Sequence, residues 1–581
     1  METLLQSARE GSVSALAVLA ARAQDARIFS EILPVVCDHI SHNPAPSNDE
    51  YPISGTSLAV VVQCFKTLSR GFNKQTSQDP GLGRAVAALC PRACEWLLFS
   101  MRHYLLNPLT GIMIGEVGND LISALASFFS FISEIPPLLF IMVNHPGFAG
   151  TITEAWLFAV KHDHQIRDHV SHIITSASKS TEPVVEQWKT EHVYTLETSP
   201  LDVVSITLDK IVASLQETQH VRWMFLKSNL TTMIYCFSIS ITLRYRYLAS
   251  NSVPWTCRLM RHICSHRVME RMSRDQDGLE LRLGTGLLCL SSENLMNAFY
   301  ENYTWVAQAL QCHLLQTLMR CQPFVERFGV ADNAPHTLKG TITDVINTIN
   351  TFLLYRPVTR QARKALDRIE CLEVSGWIDS IPESDSLGLA WTQLKKAVAS
   401  RWSTWDYHVS EQDNLKCMNH ECTRTGMYDS LMCCAGCYWV HYCSKECQKA
   451  SWPSHKDKCQ DIRTKRRTGQ PIPPSHRDLE FIREVVADDI QNHKIRIDAL
   501  KKQFLKKHPS QKKKRFPLLL VLEMNYSNVP LEISVSSMDK YRYEHSLPDE
   551  SSLSDSGGVI VHLSLPWGPD DLNHLDLVYV E

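Results

Sequence analysis

The chain has 581 residues, of which 44% are hydrophobic and 21% are charged, and its formal net charge is −3. This composition is typical of a soluble globular protein of about three or four domains, and it excludes a wholly disordered or collagen-like chain. The N-terminus has no basic start followed by an apolar run, so we expect no secretory signal. The 19 cysteines then favour a reducing compartment. We expect an intracellular protein, in the cytoplasm or the nucleus.

Residues 1–405 carry the apolar spacing of amphipathic helices. Leu4, Leu5 and Ala8, for example, recur at intervals of three and four. The pattern predicts further helices over 56–69, 82–106, 116–132, 151–178, 203–216, 280–298, 303–320, 341–354 and 385–402. No ankyrin, tetratricopeptide or leucine-rich repeat is visible. We therefore expect a mainly α N-terminal region, either one large helical domain or an irregular solenoid.

The most apolar stretches are 121–133, 135–143 and 231–243. Each has nine to 13 residues, fewer than the roughly 20 that a helix needs to cross a bilayer. The sequence therefore predicts buried core helices and no contact with a membrane.

Eight cysteines are concentrated between Cys417 and Cys459. Thiolates and imidazoles are preferred zinc ligands, and pairs spaced by two to four residues can reach one ion. Eight ligands suit two tetrahedral sites, and they are Cys417, Cys422, Cys434, Cys437, Cys443, Cys447, His455 and Cys459. Cys433 is left over, because the Cys434-Ala-Gly-Cys437 spacing makes the tighter turn. Buried or redox-active cysteines are the alternative, which four successive pairs within 43 residues disfavour.

This segment resembles the MYND zinc finger. The resemblance is carried by Tyr442-Cys443-Ser444, Cys447-Gln448, Trp452, His455-Lys456 and Cys459, in the order of the family pattern. It covers residues 417–459 only. The first pair, Cys417 and Cys422, is spaced by four residues rather than the family's commoner two.

The resemblance implies two structural zinc ions with interleaved ligands. One would bind Cys417, Cys422, Cys443 and Cys447, and the other would bind Cys434, Cys437, His455 and Cys459. Both sites would be closed by four protein ligands, which is typical of structural zinc, so we expect no catalysis at the metal.

The resemblance also implies a protein–protein interaction adaptor that captures proline-containing peptides. Gln448 and Trp452 match the family's peptide-contacting positions, and their four-residue interval places them on one helix face. Alternatively, Trp452 is a core residue that braces the second zinc site. The family's best-known context, transcriptional regulation, is an expectation from the resemblance alone.

The principal enzymatic alternative is a SET-domain lysine methyltransferase, since MYND fingers also occur in that class. The Asn-His-Ser and Gly-Glu-Glu elements of those enzymes are absent, and only 122 residues follow the finger. No P-loop, G-x-S-x-G, H-E-x-x-H or dinucleotide fingerprint is present. A third metal group built from Cys257, His262, Cys264 and His266 is disfavoured, because at helical spacing these side chains do not converge. We therefore expect no enzyme.

After the finger, residues 460–477 are predicted as a basic linker and 478–581 as a short α+β segment. Val486, Ile490, His493, Ile497, Leu500 and Phe504 form an apolar seam that predicts one helix of about 27 residues. Strands are expected at 516–524, 531–538, 558–565 and 575–580. This architecture resembles fungal MYND-finger proteins with a long helical N-terminal region.

Charge is segregated in this half of the chain. Residues 456–515 carry a net charge of +10, and residues 516–581 carry −9. The basic runs 463–467 and 512–515 have three interpretations, which are a nuclear-import signal, a nucleic-acid contact or an ordinary solvated surface. The basic runs have no interleaved aromatic residues and no recognition-helix motif that would indicate sequence-specific DNA binding. Nucleic acid is therefore not the favoured partner. The sequence does not indicate an oligomeric state.

Overall fold

The computed structural model describes most of the chain. The described residues are 1–46, 55–106, 116–180, 183–216, 223–274, 278–328, 337–372, 376–411, 415–423, 425–426, 431–508, 520–537, 558–566 and 572–579. They form two compact units, residues 1–207 and 208–581. The second unit groups the helices after residue 207 with the cysteine segment and the C-terminal strands. The boundaries expected from composition differ from this division and stay a prediction.

The first unit is built from helices. They are α1 (Glu2–Arg9), α2 (Val13–Arg22), α3 (Ala26–His42), α4 (Gly55–Gly71), α5 (Pro80–Ser100), α6 (Glu116–Ile132), α7 (Pro136–Val143), α8 (Phe148–His162), α9 (Arg167–Lys179), α10 (Pro183–Thr198) and the start of α11 (Val203–Gln216). Short turns follow local rules, since Ser12, Asp25 and Asp79 cap the helices after them by accepting backbone N–H bonds. The apolar faces meet in a core in which Phe65 lies 6.5 Å from Phe128, between ring centroids.

The second unit begins with a further set of helices. They are α12 (Trp223–Ile239), α13 (Ile241–Ala249), α14 (Ser252–Ile263), α15 (His266–Ser273), α16 (Leu279–Phe299), α17 (Tyr303–Gln311), α18 (Leu314–Met319), α19 (Gln322–Phe328), α20 (Leu338–Thr351), α21 (Arg356–Leu372), α22 (Gly376–Asp379) and α23 (Ser386–Glu411). The mainly helical region predicted from apolar spacing is confirmed. No helix among the described residues is long and apolar enough to cross a membrane.

The cysteine segment contains short strands and one long helix. The elements are β1 (Leu415–Lys416), β2 (Thr425–Gly426), β3 (Met432–Cys433), β4 (His441–Tyr442) and α24 (Lys445–Thr468). β1 pairs with β2 and β3 with β4, both antiparallel. We refer to residues 415–468 as the finger segment.

The predicted linker is in fact ordered structure. Residues 460–468 continue α24, which ends at Gly469 with a left-handed φ of +75°. A side chain at residue 469 would collide with the backbone carbonyl of Tyr245 on α13, so the chain needs glycine there. Beyond Gly469, the Ile472 carbonyl accepts a hydrogen bond from the Asn302 side-chain amide at 3.1 Å. The Pro474 carbonyl accepts one from the Trp439 indole at 2.8 Å. This segment therefore ties the finger segment to the helices before it.

The predicted 27-residue helix is also corrected, because two helices occupy its place. They are α25 (His476–Asn492) and α26 (Lys494–Lys507). Ser475 and Asp478 form a reciprocal capping box at the start of α25. The break lies at His493, whose φ of −106° and ψ of 14° depart from helical values. Its backbone N–H still donates to the Asp489 carbonyl at 3.0 Å, and its ring Nδ1 lies 2.9 Å from the same carbonyl oxygen.

The C-terminal strands form one mixed sheet. They are β5 (Leu520–Asn525), β6 (Glu532–Ser537), β7 (Gly558–Leu565) and β8 (Leu572–Tyr579). The order is β6-β5-β7-β8, with β5 and β7 parallel and both outer pairs antiparallel. The α+β character predicted for this segment is confirmed, and residues 516–519, 538 and 580 of the predicted strands lie outside the described residues.

Candidate metal centre

The finger segment brings eight ligands together in two groups of four. One group is Cys417, Cys422, Cys443 and Cys447, and the other is Cys434, Cys437, His455 and Cys459. Within each group, all the ligand atoms lie within 4.8 Å of one another. These are the sets that the resemblance implied, interleaved along the chain.

Local structure explains how the ligands converge. The first ligands of both groups follow the short strands β1 and β3, while α24 contributes Cys447, His455 and Cys459. The Ser444 hydroxyl caps α24 by accepting from the Cys447 backbone N–H at 3.2 Å. Because Ser444 adjoins Cys443, this cap fixes the two sulfurs of the first group beside each other.

The knuckle between Cys434 and Cys437 requires a glycine. A Cβ added to Gly436 would lie 2.9 Å from the Cys459 sulfur, which is too close for an unshifted side chain. The next turn is equally tight, since Tyr438 adopts a left-handed φ of +54° and donates its N–H to the Cys434 carbonyl at 2.8 Å. The backbone therefore wraps closely around the second group.

The ligand separations fit tetrahedral zinc. Zn–S bonds of ~2.3 Å at the tetrahedral angle separate two sulfurs by about 3.8 Å, and a sulfur and an imidazole nitrogen by about 3.6 Å. The sulfurs of Cys422 and Cys443 are 3.7 Å apart, and those of Cys434 and Cys459 are 3.8 Å apart. Cys437 Sγ lies 3.5 Å from His455 Nε2. Both groups are structural zinc sites, each completed by four protein ligands.

The alternative of oxidised cysteines does not match the geometry. None of the 19 cysteines forms a disulfide, and the separations above far exceed the ~2.05 Å of an S–S bond. Burial lowers the pKa of His455, so its imidazole is neutral at pH 7 and can bind metal through Nε2.

Three neighbouring residues stay outside both groups. Cys433 is half-buried on β3, and burial raises the pKa of its thiol. His420 is exposed, whereas His441 on β4 is buried. Burial and then the charges of Arg477 and Arg356 lower the pKa of His441 to about 4, which keeps this ring neutral.

Gln448 and Trp452 lie one helical turn apart on α24. The Gln448 side chain is half-buried, and Trp452 remains 42% exposed. The Trp452 ring packs edge-on against the ligand His455, with 6.0 Å between ring centroids. Trp452 thus packs against the second ligand group while part of its surface stays exposed.

The other motifs do not form metal centres in the described part of the chain. Cys257, His262, Cys264 and His266 join no group of ligands there. The basic run 463–467 lies in the last turns of α24 and is mostly exposed, and the run 512–515 lies outside the described residues.

Comparison with known proteins agrees with this geometry. Residues 417–459 match the family model of the MYND finger. A protein of Schizosaccharomyces pombe, described as "SET domain and MYND-type zinc finger protein 6", is 50% identical over 36 residues. That match covers 6% of this chain and 8% of the relative. No solved structure gives a significant match. The chain therefore contains a MYND finger, and the comparison covers little outside it.

Proposed function

We propose that this protein is a zinc-dependent adaptor whose MYND finger captures a short proline-containing peptide of a partner protein. The observation that carries the proposal is the pairing of a half-buried Gln448 with an exposed Trp452 on one face of α24. An amide can bond the backbone of an extended peptide, while the neighbouring indole packs against a proline or leucine side chain. The zinc sites would fix the position of this face, because α24 contributes the ligands Cys447, His455 and Cys459.

Action by binding rather than by catalysis is supported by the metal sites. Each zinc has four protein ligands, which leaves no open position for water or substrate. The free cysteines and the zinc thiolates also favour a reducing, intracellular compartment. Transcriptional regulation stays a prediction from the family resemblance.

We expect Trp452→Ala to weaken peptide capture by about 30-fold, the usual effect of removing an aromatic hot spot. Gln448→Ala should weaken it by about five-fold, through the loss of one hydrogen bond. The measurement uses the full-length protein against an array of short proline-containing peptides and a matched array with alanine in place of proline. Metal analysis should still find two zinc ions per chain in both variants.

A matched control is Gln460→Ala, which removes an exposed glutamine from the same helix. It should leave binding unchanged. If the Gln448→Ala/Trp452→Ala double variant keeps both zinc ions and binds peptides as tightly as the unaltered protein, this face is not the binding surface.

The methyltransferase alternative makes a separate prediction. The relative's description names a SET domain, but the match to it covers only the finger. We expect the full-length protein to give no binding heat with S-adenosylmethionine in titration calorimetry. Saturable binding of one equivalent would instead establish a cofactor site and contradict the adaptor proposal.

A further inference from the structure

A cavity of about 320 Å³ opens between the finger segment, the start of α25 and the helices α17, α21 and α23. Neither Gln448 nor Trp452 lines it, so it is separate from the proposed peptide face. Four arginines line this cavity, which we call the arginine pocket. They are Arg356 and Arg360 on α21, Arg466 on α24 and Arg477 on α25.

Positive charge in the arginine pocket exceeds the negative charge available to it. Asp478 provides the only carboxylate among the described lining residues. That carboxylate is buried, with 4% exposure, and accepts bonds from the Ser475 hydroxyl at 2.6 Å and the Ser475 backbone N–H at 3.0 Å. Arg360 and Arg466 form no ion pair with the described residues. An anion entering the pocket would therefore meet the guanidinium groups of Arg360 and Arg466, with which no carboxylate of the described residues is paired.

Aromatic rings hold two of the guanidinium groups in place. Arg356 lies over the Trp405 ring at 4.3 Å from its centroid, and Arg466 lies over the Tyr438 ring at 5.3 Å. A guanidinium that rests on a ring by its face donates hydrogen bonds from its edge, in the planar fork that matches phosphate and carboxylate oxygens. The stacking also reduces the side-chain entropy that binding would cost.

We propose that the arginine pocket binds the phosphate group of a phosphate monoester. A phosphate dianion offers three terminal oxygens and can pair with several guanidinium groups at once, whereas a carboxylate offers two. The cavity volume falls within the range of ligand sites, so the pocket accommodates the phosphate together with part of the group that bears it. That group is either a phosphorylated side chain of a partner protein or a small phosphate-bearing molecule.

The test is titration of the full-length, zinc-loaded protein at constant ionic strength. The probes are inorganic phosphate, adenosine monophosphate and a glycine pentapeptide with a central phosphoserine. We expect saturable binding of at least one monoester with one site per chain. Arg360→Ala and Arg466→Ala should each weaken it by about ten-fold, and Arg466→Lys, which keeps the charge but loses the fork, by less.

The matched control is Arg463→Ala, which removes an exposed arginine of α24 that lies outside the pocket. It should change affinity by less than about two-fold, since its side chain does not line the pocket and cannot contact a bound phosphate. Tighter binding of the phosphopeptide would identify a modified partner, and tighter binding of the nucleotide would identify a small molecule. The proposal is overturned if none of the three probes binds saturably, or if Arg463→Ala weakens binding as much as the pocket variants do.

Discussion

Replacing Cys443 with serine is expected to reduce the zinc content from two ions per chain to about one or fewer and to unfold the finger segment. Cys443 Sγ lies 3.7 Å from that of Cys422 and 3.5 Å from that of Cys447, so it is central to the first group. A serine hydroxyl is a poor zinc ligand, and structural zinc contributes about 10–16 kcal/mol of folding free energy in finger peptides.

The effect should be large because the finger has little core besides its metals. Its buried cluster contains Cys417, Cys434, Cys437, Val440, Tyr442, Cys459 and Ile462. Four of these seven residues are zinc ligands, so loss of metal removes most of the interior. The two ligand sets also alternate along the chain, and release of one ion loosens the segments that hold the other.

Cys433→Ser is the control for this experiment. Cys433 directly precedes the ligand Cys434 but belongs to neither group, so the variant should keep two zinc ions. Elemental analysis of the purified protein gives the zinc content, and limited proteolysis reports whether 415–468 is folded. Two zinc ions in the Cys443→Ser protein, or loss of zinc from the Cys433→Ser protein, would show that the ligands are assigned wrongly.

The zinc ligands could be predicted from sequence because their signal is local. Metal coordination requires particular residue types at short spacings, and the glycine of the Cys434–Cys437 knuckle reports the tight backbone turn directly. The helices of the first 400 residues were predictable for a similar reason, since an apolar face must recur with the helical period.

The sequence-based predictions failed where the structure is not determined by apolar spacing. Residues 460–468 were predicted as a linker because they are rich in charge. Lysine, arginine and glutamine are nevertheless good helix formers, and Gly469 is a typical residue for the end of a helix. The break at His493 is a local change in backbone dihedral angles, which apolar spacing does not reveal. The arginine pocket could not be predicted at all, because Arg356 and Arg466 meet only when α21 and α24 pack in the folded unit.

We expect Asp489→Ala to lower the stability of the second unit by about 3–5 kcal/mol, the usual cost of leaving one member of a buried ion pair alone. Arg401 on α23 donates from Nη1 and Nη2 to both carboxylate oxygens of Asp489 on α25, at 2.9 and 2.7 Å. The two side chains are only 14% and 7% exposed. The Tyr526 hydroxyl, just after β5, donates to the same carboxylate at 2.8 Å.

This cluster joins three parts of the second unit through one carboxylate. Burial and then the charge of Asp489 raise the pKa of Tyr526, so its hydroxyl keeps the proton that it donates. Removing Asp489 leaves the guanidinium of Arg401 with little access to water and the Tyr526 hydroxyl without its acceptor. The loss of stability therefore comes from buried polar groups left without a hydrogen-bond partner, as well as from the lost electrostatic attraction.

Two further variants separate these causes. Arg401→Met/Asp489→Leu removes both charges and should cost less than Asp489→Ala, since no unpaired ion remains. Glu383→Ala breaks an exposed pair with Lys396, whose side chains are 58% and 72% exposed, and should cost about 0–1 kcal/mol. Native-state hydrogen exchange of peptides from α25 and β5 measures the opening free energy in each variant. If Asp489→Ala lowers the opening free energy no more than Glu383→Ala does, the Arg401–Asp489 pair does not stabilise the packing of α23, α25 and β5.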